Sequence, residues 1–265
     1  MDIPDRPLYK FLSVDGNLAP TWQDRLAALL SGKCYLPSAA DFNDPFDCLP
    51  YVEKPVTPRQ RAEWSDHMVP LIADAVRQQI PADFAHPWAR NVVDRMSDSE
   101  LIGAIRKSSR EMAAGMGVFC VAECIDSVLM WSHYASNHQG IALRFEFGSD
   151  PLLSPVIWKV KYQDQRPILR HTDFAVESMA IPIALATKAT FWQYEQEWRI
   201  MLTGYARRTM TFDPKAITGI ILGARCPDAV VDHAKGLAAS HGLHVAQMVP
   251  DESTFQLILQ DVDLT

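Results

Sequence analysis

Cysteine is scarce in this chain. There are five, Cys34, Cys48, Cys120, Cys124 and Cys226, odd in number and scattered. That pattern excludes a paired disulfide framework. Cys120 and Cys124 lie four apart, but no second Cys or His pair completes a zinc-ligand spacing, so no metal ion is expected. Unpaired thiols fit a reducing, cytoplasmic setting. Long apolar runs are missing too. The longest, residues 179–186, is interrupted by Pro182 and falls far below the ~18 residues a membrane span needs. The opening MDIPDRPLYK has two early acids and no apolar core, so it does not read as a secretory signal. An excess of positive charge is also lacking. Lys and Arg number 25 against 32 Asp and Glu, a net charge of −7. No membrane partner and no broad nucleic-acid surface are expected, because grip on phosphates needs clustered cations.

What is present belongs to a folded protein. The 265 residues are 48% hydrophobic and 22% charged, ordinary for a globular chain. Domains of ~100–200 residues are common, so the length suits one large core or two small ones. The reading is a single α+β domain over 1–265, with residues 56–115 as a helical insertion. Residues 8–14 read as a first strand. Thr21 and Asp24 form a capping box for a helix that stops at Gly32, and residues 33–37 resume as a strand. Thr57-Pro58 with Gln60 opens a further helix, which Pro70 is expected to kink or divide. Ser97 and Glu100 open another, ending near Gly115. From residue 117 onward strands dominate, with short helices expected after Asp126, over about 173–189 and over about 228–240. Residues 141–147 alternate as a half-buried strand would. Helices and strands do not alternate regularly enough for a doubly wound sheet. The fold class is therefore α+β with a mixed or antiparallel central sheet.

Three clusters carry possible chemistry. The first is N-D-P-F-D, where Asn43, Asp44 and Asp47 crowd a tight turn. Such residues either close the turn with side-chain hydrogen bonds or shape a pocket. The second is M-W-S-H-Y-A-S-N-H-Q-G from residue 130. On a helix Trp131 and Tyr134 lie three apart and share a face, which suits stacking on a nicotinamide or a base. Equally, both are bulky enough to be core anchors. His133 and His138 can act as acids or bases near neutral pH. The third is K-A-T-F-W-Q-Y-E-Q-E-W-R, residues 188–199. Lys188 precedes Trp192 by one helical turn. If Glu195 begins a strand, then Glu195, Glu197 and Arg199 share one face, either as a solvated ion pair or as a pocket. Trp192 and Tyr194 would wall such a pocket.

Together, N-D-P-F-D, M-W-S-H-Y-A-x-N-H-x-G-I-A-L, V-x-Y and W-x-Y-E-x-E-W-R resemble a bacterial family known as domain of unknown function 2971. The likeness spans about residues 8–223, skips 56–115, and implies no established activity. More distantly, the order of parts looks like that of ADP-ribosyltransferases, which implies a split sheet and NAD as co-substrate. Under that resemblance Tyr9 or Lys10 takes the first-strand position. Tyr134 with Ser132 takes the second, and Glu195-x-Glu197 matches the late Glu-x-Glu. Glu197, Glu195 and Tyr134 would then be catalytic. Tyr9, Lys10, Trp131, Ser132, Lys188, Trp192 and Arg199 would hold NAD, and Asn43, Asp44, Asp47, His133 and His138 would line the pocket. Glu197 would bind the nicotinamide-ribose 2′-hydroxyl and stabilise an oxocarbenium-like state; Glu195 would assist a macromolecular acceptor that nothing in the sequence names. Toxin, stress or phage-defence settings are the contexts implied. The alternative is a non-catalytic sensor of a nucleotide or other small ligand. A metal-dependent hydrolase on Asp44, Asp47, Glu123 and His133 is a third reading.

Overall fold

The computed structural model describes residues 4, 6–14, 20–147, 156–170, 173 and 180–263. In chain order the first elements are β1 (Leu8–Leu12), α1 (Trp22–Leu30), β2 (Lys33–Leu36), β3 (Tyr51–Val52), α2 (Pro58–Ala75), α3 (Ala82–Arg95), α4 (Asp98–Ala114) and β4 (Met116–Ala122). Next come α5 (Val128–Tyr134), β5 (Ile141–Phe145), β6 (Ile157–Lys159), β7 (Lys161–Gln163), β8 (Ile168–Leu169), α6 (Ala180–Leu185) and β9 (Thr187–Ala189). The last are β10 (Glu197–Thr203), β11 (Arg208–Thr211), β12 (Ile217–Leu222), α7 (Asp228–His241), β13 (His244–Pro250) and β14 (Leu257–Asp261). They group into two compact units. One holds Met1–Ser38, Met116–Tyr162 and Thr190–Thr265; the other holds Ala39–Gly115 and Gln163–Ala189.

The first unit is built on an eight-stranded sheet in the order β14-β13-β12-β5-β1-β4-β10-β6. Neighbours are antiparallel except β12 and β13, which α7 links as a βαβ unit. The class is α+β with a mixed sheet. The split sheet implied by the transferase likeness is replaced by one continuous sheet. Its seam is thin, since β1 and β4 register only Tyr9 with Ala122.

Alternation along the strands decides which residues face which layer. On one face Leu8, Phe119, Val121, Leu143, Trp198, Ile200 and Ile220 pack with Trp22, Leu26 and Leu29 of α1 and Ala234 and Ala238 of α7. On the other, Phe11, Ala122, Ala142 and Ile221 pack with Met130 and Trp131 of α5. β5 is accordingly buried on both sides, not half-buried as its alternation suggested, because helices cover both faces around this central strand.

The second unit surrounds a core of Trp64, Met68, Ala89, Val93, Leu101 and Ile105 from α2, α3 and α4, joined by Val52 and Leu169 of the short parallel pair β3 and β8. Both capping boxes form as the sequence foretells, Thr57 with Gln60 and Ser97 with Glu100. α2 runs through Pro70 without division. Pro70 is exposed while Met68 and Val69 are buried, so its ring lies on the side away from the core, and the break falls later, where Pro81 stands at the N-cap of α3. Two further expectations change. Ser127, not Asp126, caps α5 by accepting from the Met130 amide. The helix expected over 173–189 is α6 followed by the strand β9, and residues 174–179 lie outside the described part.

Candidate functional site

Alternation puts Glu197 and Arg199 on the α5 face of the sheet, opposite Trp198 and Ile200. There Arg199 Nε and Nη2 each donate to one Glu197 carboxylate oxygen at 2.9 Å. Arg199 is 0% exposed. The pair is thus a desolvated bidentate bridge, the geometry for which guanidinium is suited. Cross-strand register sets Cys120 opposite Arg199 and Ala122 opposite Glu197. Burial and the nearby Glu197 push the Cys120 thiol well above its ordinary range, and the thiol hydrogen-bonds to that carboxylate. The Glu197 amide donates to Tyr162 Oη at 2.8 Å, and burial raises the Tyr162 hydroxyl's pKa.

Glu195 arrives differently from its expectation. It ends a 3-10 turn, Thr190–Glu195, and β10 starts only at Glu197. Gln196 between them has φ +42°, a left-handed conformation uncommon for a residue with a Cβ. Its carbonyl accepts from the Glu123 amide. This kink, rather than strand alternation, directs Glu195 to α5, where Tyr134 Oη donates to Glu195 Oε1 at 2.7 Å. Glu195 is buried and Tyr134 half-buried. Burial, and then the hydrogen bond to Glu195, raise the Tyr134 hydroxyl far above its usual range. Tyr134 is thus a neutral donor to this acid.

Above the pair lies a run of rings in edge or tilted contact. Phe191 meets Trp192 at 5.8 Å, Trp192 meets Tyr194 at 6.0 Å, Tyr194 meets His133 at 6.0 Å, and His133 meets Tyr134 at 6.2 Å. His133 Nδ1 and Tyr194 Oη are 3.1 Å apart. His133 is exposed and Phe191 is 70% exposed. The arrangement sets exposed rings, Phe191 and His133, in one run with the half-buried Trp192, Tyr194 and Tyr134 beside a buried carboxylate.

The other candidates are placed as follows. Tyr9 is on the α5 face, half-buried among Tyr134 and Tyr194. Lys10 is on the opposite face, where its ammonium lies over Phe119 at 4.8 Å and donates to the Cys120 carbonyl at 3.0 Å, beside the thin β1–β4 seam. Strand alternation therefore separates Lys10 from Glu197. Trp131 is fully buried, edge-on to Phe11 at 5.0 Å, with its indole N–H on the Ile125 carbonyl. Its ring is a core anchor and has no surface left for stacking. Ser132 and His138 are 3.1 Å apart, within a turn whose residues Ser136, Asn137 and His138 all have positive φ. A Cβ at Gly140 would collide with the Leu12 carbonyl, and one at Gly223 with the His138 carbonyl. Much of the N-H-Q-G signature therefore builds a backbone crossing.

Lys188, Asn43, Asp44 and Asp47 belong to the second unit. Asp44 accepts from the Phe46 amide at 2.8 Å, closing the turn. Asp47 accepts from the Cys48 thiol and lies 3.8 Å from the Lys188 ammonium, both partners buried. Lys188 is on β9, not one helical turn before Trp192. Asn43 is exposed. Among the metal-hydrolase candidates, Glu123 is occupied by Lys159 at 2.7 Å and by the Trp198 indole at 2.9 Å. Among the described residues no three His, Cys, Asp or Glu side chains gather as a metal-holding group. Tyr162 and Phe191 were not singled out by the sequence, and Cys120 was weighed there only for metal-ligand spacing. Tyr162 is the Tyr of V-x-Y, a fragment too short to be assigned a role without the sheet register.

Residues 130–200 match the family described as protein of unknown function, DUF2971. The matched span runs from α5 to β10 and so contains Tyr134, Tyr162, Glu195, Glu197 and Arg199. No curated protein and no solved structure matches the chain. The ADP-ribosyltransferase resemblance gains no support from these comparisons. Among the described residues no helix is long and apolar enough to cross a membrane.

Proposed function

We propose that the surface around Tyr134 and Glu195 binds a small ligand with a planar ring and hydroxyl or amine donors, a nucleotide or nucleoside by class. On this reading the chain works as a ligand-binding sensor and not through Glu197 as a catalyst. The observation that carries the reading is the run of rings from Phe191 to His133 set beside the Tyr134–Glu195 hydrogen bond. Rings supply stacking surface at little entropic cost. A buried carboxylate oriented by a tyrosine is a hydrogen-bond acceptor for a ribose hydroxyl or a ring amine. Glu197 is poorly suited to a catalytic role, since both oxygens already accept from Arg199.

NAD-dependent ADP-ribosyl transfer is the second reading. What favours it is that Tyr9, Tyr134 and Glu197 are all on the α5 face of the sheet, as the resemblance requires. In that chemistry the glycosidic C–N bond breaks, nicotinamide leaves, and an acceptor nucleophile bonds to the ribose C1′ and gives up its proton to Glu195. The two readings part in one experiment. Wild type and the Glu195→Gln and Glu197→Gln variants are incubated with NAD, and both melting shift and nicotinamide release are followed. A saturable shift without release, lost in Glu195→Gln, supports the sensor. Release that disappears in a folded Glu197→Gln variant supports the transferase and overturns the sensor.

A further inference from the structure

A surface cleft of about 330 Å³ lies wholly within the second unit, between α4 and the segments leading into β3 and β8. Arg106, Arg110 and Arg166 line it, with Tyr51 and Ser109. Arg106 and Arg110 stand one helical turn apart on α4 and so project from the same side. Arg166 is held from the other side. Its Nε donates to the Leu49 carbonyl at 2.8 Å and its Nη2 to that of Pro50 at 3.1 Å. These bonds fix its guanidinium plane and leave Nη1 without a protein acceptor among the described residues.

The charge around the cleft is lopsided. Several other arginines of this unit have acids beside them: Arg59 meets Glu63, Arg61 meets Asp98, Arg77 meets Asp74 and Arg90 meets Asp66. Among the described residues no carboxylate pairs with Arg106, Arg110 or Arg166. Desolvation, and then the charges of Arg106 and Arg110, lower the pKa of Arg166. Three cations that repel one another at one concavity are stabilised by an anion placed between them.

We propose that this cleft binds a phosphorylated small molecule, with the phosphate held by Arg106, Arg110 and Arg166. Guanidinium forks match the tetrahedral oxyanion and make charge-assisted, bidentate hydrogen bonds to it. The volume exceeds what a bare phosphate fills and falls in the range of small-ligand sites. Tyr51, 44% exposed, gives the organic part a wall. The chain's net charge of −7 makes this a local anion site and not part of a nucleic-acid track. It shares no residue with the Tyr134–Glu195 surface and goes beyond the function proposed for it.

The test uses ribose 5-phosphate and ribose as matched probes, titrated calorimetrically into the full chain. Saturable binding of ribose 5-phosphate, absent for ribose, is expected. The R106Q/R110Q variant should weaken it by roughly tenfold or more, with unchanged circular dichroism, because both side chains are exposed. Tyr134→Phe should leave it unchanged, so failure here is separable from failure of the first site. Without ligand, R106Q/R110Q should melt no lower than wild type. The proposal is overturned if ribose 5-phosphate shows no saturation below about 10 mM, if ribose binds equally, or if R106Q/R110Q binds as wild type does. Binding of a phosphopeptide in preference to ribose 5-phosphate would also overturn it.

Discussion

Arg199 is sealed from water, and a guanidinium persists in that setting only when its charge is met at once by a hydrogen-bonded acid. Glu197 does this with two parallel bonds, which join two same-face neighbours at the start of β10. Removing one member strands the other in a dry interior. Arg199→Met or Glu197→Gln is therefore expected to lower unfolding free energy by about 3–5 kcal/mol, read as a shift in urea midpoint at unchanged slope. Replacing both with Met should restore much of that loss, since no buried charge is left unpaired. Tyr134 and Glu195 make a smaller case of the same kind. Tyr134→Phe deletes a donor to a buried carboxylate and should reduce stability by about 1–3 kcal/mol, while also weakening any ligand that uses Glu195. Stability loss in Glu197→Gln must be measured before any activity loss in that variant is assigned to chemistry.

At the scale of elements, the turns do much of the positioning. Gln196 holds a left-handed conformation between a 3-10 turn and β10. A glycine adopts it without steric penalty, so Gln196→Gly should be neutral or stabilising by up to about 1 kcal/mol, checked by the same urea titration. Thr57 caps α2 through the Gln60 amide, and Thr57→Ala should destabilise by about 1 kcal/mol. These caps were legible because Thr-Pro-x-Gln and Ser-x-x-Glu announce themselves within four residues. The placement of Glu195 was not, because it depends on a positive φ at Gln196, which glutamine does not advertise. Lys10 illustrates a different limit. Its one-residue offset from Tyr9 decides the sheet face, but which face meets α5 is settled only by partners more than 100 residues away. Lys188 shows a third: its acid is Asp47 in the N-D-P-F-D turn, and two separate motifs met where local reading saw one continuous segment.

At the scale of the whole chain, the W-x-Y-E-x-E-W-R segment belongs to the sheet-built unit, whereas Lys188 belongs to the helical one. The helical unit carries its own pH response. Burial lowers the pKa of His67 on α2 to about 4, so the folded chain keeps it neutral. The unfolded chain begins to protonate near its ordinary value of about 6.5. The stability is complete above that value and is lost as pH falls towards about 4, with no further contribution to the slope below it. A urea midpoint at pH 5 should lie below that at pH 7.5, and His67→Leu should flatten the difference. The central claim concerns the other unit. It is tested most directly by thermal shift with a nucleoside panel on wild type and Glu195→Gln, because a nucleoside lacks the phosphate that the arginine cleft takes. A ligand at about 100 times its Kd should stabilise wild type by about 2.7 kcal/mol, several degrees, and leave Glu195→Gln unmoved. No shift with any nucleoside, or an equal shift in the variant, would contradict the account.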